Sequence, residues 1–89
     1  MASVKEMIKA GAKIVDVRSA GEFADESYPG AVNIPLNLIP AKAMDLGPKD
    51  GPIVLYCASG ARSAQAARFL KEAGFTNVVN AGGIDDMPR

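Results

Sequence analysis

Four short, β-branched or apolar runs punctuate this chain, and segments with helical spacing separate them. The runs are Ile14-Val15-Asp16-Val17, Ala31-Val32-Asn33-Ile34, Ile53-Val54-Leu55-Tyr56 and Val78-Val79. Each is too short for a helix and rich enough in β-branched residues for a buried strand. Strands that alternate with amphipathic helices indicate an α/β domain with a mainly parallel sheet. In such sheets the strand-to-helix loops at the carboxyl edge form the binding sites. With 89 residues, the chain is expected to form one domain over 1–89, with no room for a second core.

The helices carry their own start and stop signals. Ser3-Val4-Lys5-Glu6 has the spacing of a capping box, and Gly11 can end the helix that it opens. Ser19-Ala20-Gly21-Glu22 repeats that spacing and predicts a short helix through about Asp25. Tyr28-Pro29-Gly30 and Asp50-Gly51-Pro52 are turns. From Pro35 to Gly47 a stripe of Leu36, Ile39, Ala43 and Leu46 fits a helix, but Pro40 requires it to begin nearby. The best helix is Ala61 to Ala73, with Ala66, Ala67, Leu70 and Ala73 on one side and Gly74 as terminator. Ala81-Gly82-Gly83 is expected to be a loop.

Composition excludes more chemistry than it suggests. Ten basic residues balance ten acidic ones, so no overall field draws the chain to nucleic acid or to anionic lipid. There is no histidine, which removes Ser-His-Asp and Cys-His catalysis and most zinc sites. The single cysteine, Cys57, rules out an intramolecular disulfide or a Cys-x-x-Cys pair. No apolar run approaches a membrane span, and the start does not read as a signal peptide. The expected location is the cytoplasm, or the periplasm if a leader has been removed.

Cys57 ends the most strand-like run and precedes the best helix. In Cys57-Ala58-Ser59-Gly60-Ala61-Arg62-Ser63, small residues and a glycine let the backbone curl, so that several N–H groups can point at one centre. Those donors and the positive helix end favour a thiolate, and then an anionic group on its sulfur. Arg62 adds a fixed charge with planar donors. Against this stands the plainer reading of Cys57 as a small apolar residue closing a buried strand. The cysteine phosphatases offer a third reading through their Cys-x5-Arg loop. Here the arginine comes one place earlier, which makes a smaller cradle, better matched to a sulfur atom than to phosphate.

Along nearly its whole length the sequence resembles the rhodanese family. Ile14-Val15-Asp16-Val17-Arg18 with Glu22-Phe23, the stretch from Pro29 to Leu36, the loop from Tyr56 to Ser63, and Gly74-Phe75 with Val78 and Gly82-Gly83 follow its motifs in order. The length and the ending from Asn80 to Pro88 look most like its short, phage-shock-protein E type. The resemblance implies a twisted, open parallel β-sheet with helices on both faces, and sulfurtransferase activity without a metal or organic cofactor. It implies Cys57 as nucleophile and persulfide carrier, with Ala58, Ser59, Gly60, Ala61 and Arg62 binding the substrate. The sulfane donor would be thiosulfate, polysulfide or a persulfide, and the acceptor cyanide, a thiol or a partner protein. A carrier that receives persulfide from a partner and turns over little alone is the alternative.

Three departures from the family pattern stand out. Ser27-Tyr28 replaces His-Ile, Met87 stands where tryptophan often follows Gly-Gly, and Ala58 replaces an arginine next to the cysteine. The last leaves Arg62 as the loop's one charge, so thiosulfate is expected to be a poor donor. Asp16, Arg18 and Glu22 read as a structural ion-pair and hydrogen-bond set. Tyr56, Phe69 and Phe75 read as core, and Arg68, Lys71 and Glu72 as the wet face of a helix.

Overall fold

A computed structural model describes residues 3–88. Its helices are α1 (Val4–Lys9), α2 (Ala20–Asp25), α3 (Ile39–Lys42) and α4 (Ala61–Glu72). Its strands are β1 (Lys13–Asp16), β2 (Val32–Asn33), β3 (Ile53–Cys57) and β4 (Val78–Gly83). All strand pairings are parallel, in the order β2-β1-β3-β4. Both capping boxes form: Ser3 with Glu6 opens α1, and Ser19 with Glu22 opens α2. Pro40 sits in the first turn of α3, where its missing N–H has no intrahelical partner to lose. Short 3₁₀ turns at Leu36–Leu38 and Ala43–Leu46 flank that helix.

The central strand β3 is buried at every position, and its alternation divides the core in two. Ile53, Leu55 and Cys57 face Val15, Ile39, Ala66 and Leu70, which places α3 and α4 on one face of the sheet. Val54 and Tyr56 face Met7, Ala12, Ile14 and Met87, which places α1 and the chain's last turn on the other. Helices therefore cover both faces. Each fully buried leucine or isoleucine side chain, such as Leu70 or Ile53, contributes roughly 1.5–3 kcal/mol.

Two expectations from the sequence need correction. The segment Ala81-Gly82-Gly83 is not a loop: β4 runs on through Gly83, with an irregularity that lets Leu55 pair with Asn80 and Cys57 with Gly83. The glycines made the segment read as a turn, but pairing with β3 keeps it in the sheet. Phe69 is not core: it lies exposed on α4, whereas Phe75 is buried. Its neighbours Ala66, Ala67 and Leu70 already fill the inward face of that helix.

Candidate active site

Strands β1 and β3 are neighbours, so the loops that leave their carboxyl ends adjoin. Hydrogen bonds tie down the first loop. Asp16, fully buried, accepts from the Arg18 N–H at 2.8 Å and from Arg18 Nη2 at 2.8 Å, with Nε 3.1 Å from both its oxygens. Arg18 Nη2 also donates to the Glu26 carbonyl. Asn33 Nδ2 donates to the carbonyls of Asp16 and Arg18, at 3.0 and 2.9 Å, and ties β2 to the same corner. Burial of this charged pair is tolerated because both partners are hydrogen-bonded. The expected structural set thus consists of Asp16 and Arg18, while Glu22 has a different partner.

The second loop carries Cys57. Gly60 adopts φ 100° as the residue before α4, a conformation that a side chain would strain. The curl brings the Gly60 N–H to 2.9 Å from Cys57 Sγ. Ser63, three residues into α4, approaches the same sulfur with its N–H at 3.4 Å and its hydroxyl at 3.3 Å. No side chain from Gly60 caps the helix. The sulfur occupies the place that a capping oxygen normally takes, accepting from an N–H of the first turn. Burial pushes the Cys57 thiol up. Hydrogen bonds from the Ser63 hydroxyl and from the N–H groups of Ser63, Ser59 and Gly60 outweigh that and hold it below the ordinary thiol range.

Two further contacts hold the loop from behind. A Cβ on Gly83 would stand 2.4 Å from the Ala58 carbonyl oxygen, and one on Gly60 would stand 3.3 Å from Gly82 Cα. The end of β4 can lie this close only because neither Gly83 nor Gly60 carries a side chain. Asn80 Oδ1 lies 2.6 Å from Ser63 Oγ and accepts the Gly82 N–H at 2.9 Å, while its Nδ2 donates to the Gly60 carbonyl at 3.3 Å. Asn80 Oδ1 therefore competes with the sulfur for the one proton of the Ser63 hydroxyl.

The predicted site residues Cys57, Ala58, Ser59, Gly60, Ala61 and Arg62 come together in one turn. Cys57 is fully buried, while Ala58, Ser59 and Ala61 are exposed. Arg62 lies in the expected place but its donors are engaged: Nη1 and Nη2 reach Glu22 Oε1 and Oε2, at 2.8 and 3.0 Å. Sequence reasoning missed the roles of Ser63 and Asn80. Ser63 was findable, because its place in the helix's first turn sets its N–H and hydroxyl beside the cap. Nothing local to Asn80 announced its role. Among the described residues no cluster of histidine, cysteine, aspartate or glutamate could hold a metal ion, and no helix is long and apolar enough to cross a membrane.

Comparison with known proteins gives a consistent assignment. The rhodanese-like domain family matches residues 1–87. A sulfurtransferase of Allochromatium vinosum is 43% identical over 72 residues, spanning 80% of this chain and 66% of that protein. The thiosulfate sulfurtransferase PspE of Escherichia coli is 38% identical over 74 residues, 82% of this chain and 71% of its own length. This chain thus spans about two thirds of the length of these two relatives. A solved rhodanese from E. coli, determined with anions, superposes with a TM-score of 0.81 at 37% identity, covering 88% of this chain and 95% of that one. Parallel sheet, cysteine turn and sequence agree: this chain belongs to the rhodanese-like domain family of sulfurtransferases.

Proposed function

We propose that this domain moves a sulfane sulfur from a small donor to a nucleophilic acceptor through a persulfide on Cys57. The observation that carries the reading is the sulfur itself, the chain's one thiol, held by the N–H groups of Gly60 and Ser63 and by the Ser63 hydroxyl. The same donors that favour a thiolate suit the terminal sulfur of a persulfide, which is also anionic.

With thiosulfate as donor, the Cys57 thiolate attacks the outer sulfur. A new S–S bond forms, the S–S bond of thiosulfate breaks, and its electron pair leaves with sulfite. An acceptor such as cyanide or a thiolate then takes the terminal sulfur, and Cys57 returns as thiolate. Neither step needs an external oxidant or a metal. The backbone from Ala58 to Arg62 would cradle the transferred sulfur. Because Cys57 is fully buried, that stretch must also admit the donor.

Mass spectrometry after incubation with thiosulfate or polysulfide tests the reading. The protein should gain one sulfur atom, at Cys57 alone, and cyanide or a small thiol should remove it. Sulfur uptake by Cys57→Ser, or none by the wild type, overturns it. Turnover with a small acceptor, as opposed to a single loading, separates an enzyme from a carrier.

A further inference from the structure

The one charged side chain of the cysteine loop is already neutralised. Arg62 makes a paired, two-pronged contact with Glu22, and both side chains remain over one third exposed. Glu22 is fixed from its other side as well: its Oε1 accepts from the Ser19 N–H at 3.0 Å and from the Ser19 hydroxyl at 3.1 Å. The Arg62 guanidinium holds the Glu22 carboxyl far below the usual range, at about 2. The carboxylate thus stays charged throughout the range in which a thiolate chemistry operates. Beside Arg62 opens a shallow cleft of about 360 Å³, whose other walls are Val17, Ser19, Pro35, Leu36 and Asn37. Three of those five are apolar, and none is a cation.

We propose that Glu22 is a specificity-determining positioning residue: by pairing with Arg62 it biases the site toward low-charge donors that carry a small organic group. The inference rests on sulfur transfer through Cys57. A doubly charged inorganic donor meets a thiolate and a carboxylate with the Arg62 guanidinium to offset them, because the nearby Arg18 is already paired with buried Asp16. An organic persulfide, RSSH or its anion, carries at most one negative charge, so it meets less repulsion and can lay its R group along Val17, Pro35 and Leu36. In that case the thiolate attacks the outer sulfur of RSSH, the persulfide proton travels with the transferred sulfur, and RS⁻ leaves.

The test compares two probes, thiosulfate and 2-hydroxyethyl persulfide, by the second-order rate at which each loads Cys57, at low and high salt. Wild type should favour the persulfide, and added salt should not slow its loading by thiosulfate. Glu22→Gln keeps a residue that the capping box accepts. It should raise the thiosulfate-to-persulfide rate ratio about tenfold, and salt should erode that gain. Asp25→Asn removes an exposed carboxylate from the same helix but leaves the Glu22–Arg62 pair charged, so it should keep the wild-type ratio. Loading from both probes with a ratio unmoved by Glu22→Gln, or moved equally by Asp25→Asn, overturns the role of Glu22 alone. A wild-type rate with thiosulfate that falls with salt does the same without any variant. No loading from either probe overturns sulfur transfer, and the donor bias with it.

Discussion

The Ser63 hydroxyl stands 3.3 Å from Cys57 Sγ and, on its other side, 2.6 Å from Asn80 Oδ1. One hydroxyl carries one proton, so it can serve the sulfur or the amide but not both at once. A thiolate or persulfide attracts that proton more strongly than a neutral thiol does. The pair therefore responds to the state of the sulfur. Ser63→Ala should raise the Cys57 pKa and slow sulfur loading at neutral pH by about 10–100-fold, the worth of one hydrogen bond to a charged group. The pH dependence of alkylation by iodoacetamide measures the first effect. A profile identical to wild type would show that the backbone N–H groups suffice.

Access to the buried sulfur yields a size rule. Small alkylating agents should modify native Cys57 much faster than bulky maleimides, and the difference should vanish in denaturant. Equal rates in the native state would mean that the turn from Ala58 to Arg62 opens freely.

At the back of the loop, Gly83→Ala would drive a Cβ to 2.4 Å from the Ala58 carbonyl oxygen, which is backbone and cannot rotate away. We expect a loss of about 1–3 kcal/mol, and slower sulfur loading even at temperatures where the variant is folded. Gly11→Ala is the control: a side chain at its φ of 95° is strained through the backbone, but nothing lies within 4 Å of its Cβ, and it precedes the amino end of β1, away from the turn at the carboxyl edge. Urea unfolding of both variants, with loading rates beside them, separates strain from damage to the site.

The Glu22–Arg62 pair should leave a mark at acid pH. Glu22 falls from the ordinary 4.5 to about 2 in the folded protein, chiefly through the Arg62 hydrogen bonds and then the Ser19 N–H. A depressed carboxylate contributes stability that is complete above the unfolded value and lost as pH falls through the folded one. Stability should therefore decline between about pH 4.5 and 2, and Glu22→Gln should flatten that limb. Denaturant midpoints across this range check it, and an unchanged slope in the variant would remove Glu22 from the acid response.

Aryl phosphates give a negative test. The turn places its N–H groups of Gly60 and Ser63 on the sulfur itself, and Arg62 is held by Glu22. Hydrolysis should be negligible, and substantial activity lost in Cys57→Ser would make the loop a phosphate cradle after all.

Much of this protein is local, and the sequence alone determined that part. The two capping boxes depend on residues three apart, and the strands on runs of β-branched side chains, so both were legible without a structure. The cysteine turn was legible for the same reason: Cys57, Gly60 and the helix start lie within four residues of one another. Tertiary structure decided what depends on pairing between distant segments. Ala81-Gly82-Gly83 has the local character of a loop, yet β3 recruits it into the sheet, where the absence of Cβ atoms lets it lie against the turn. Asn80 reaches Ser63 only because β4 runs beside β3. Glu22 and Arg62 are 40 residues apart, and their meeting follows from the adjacency of β1 and β3 in the order β2-β1-β3-β4. A charge pattern along a chain does not state which charges will face each other; strand order does, because it fixes which loops share an edge.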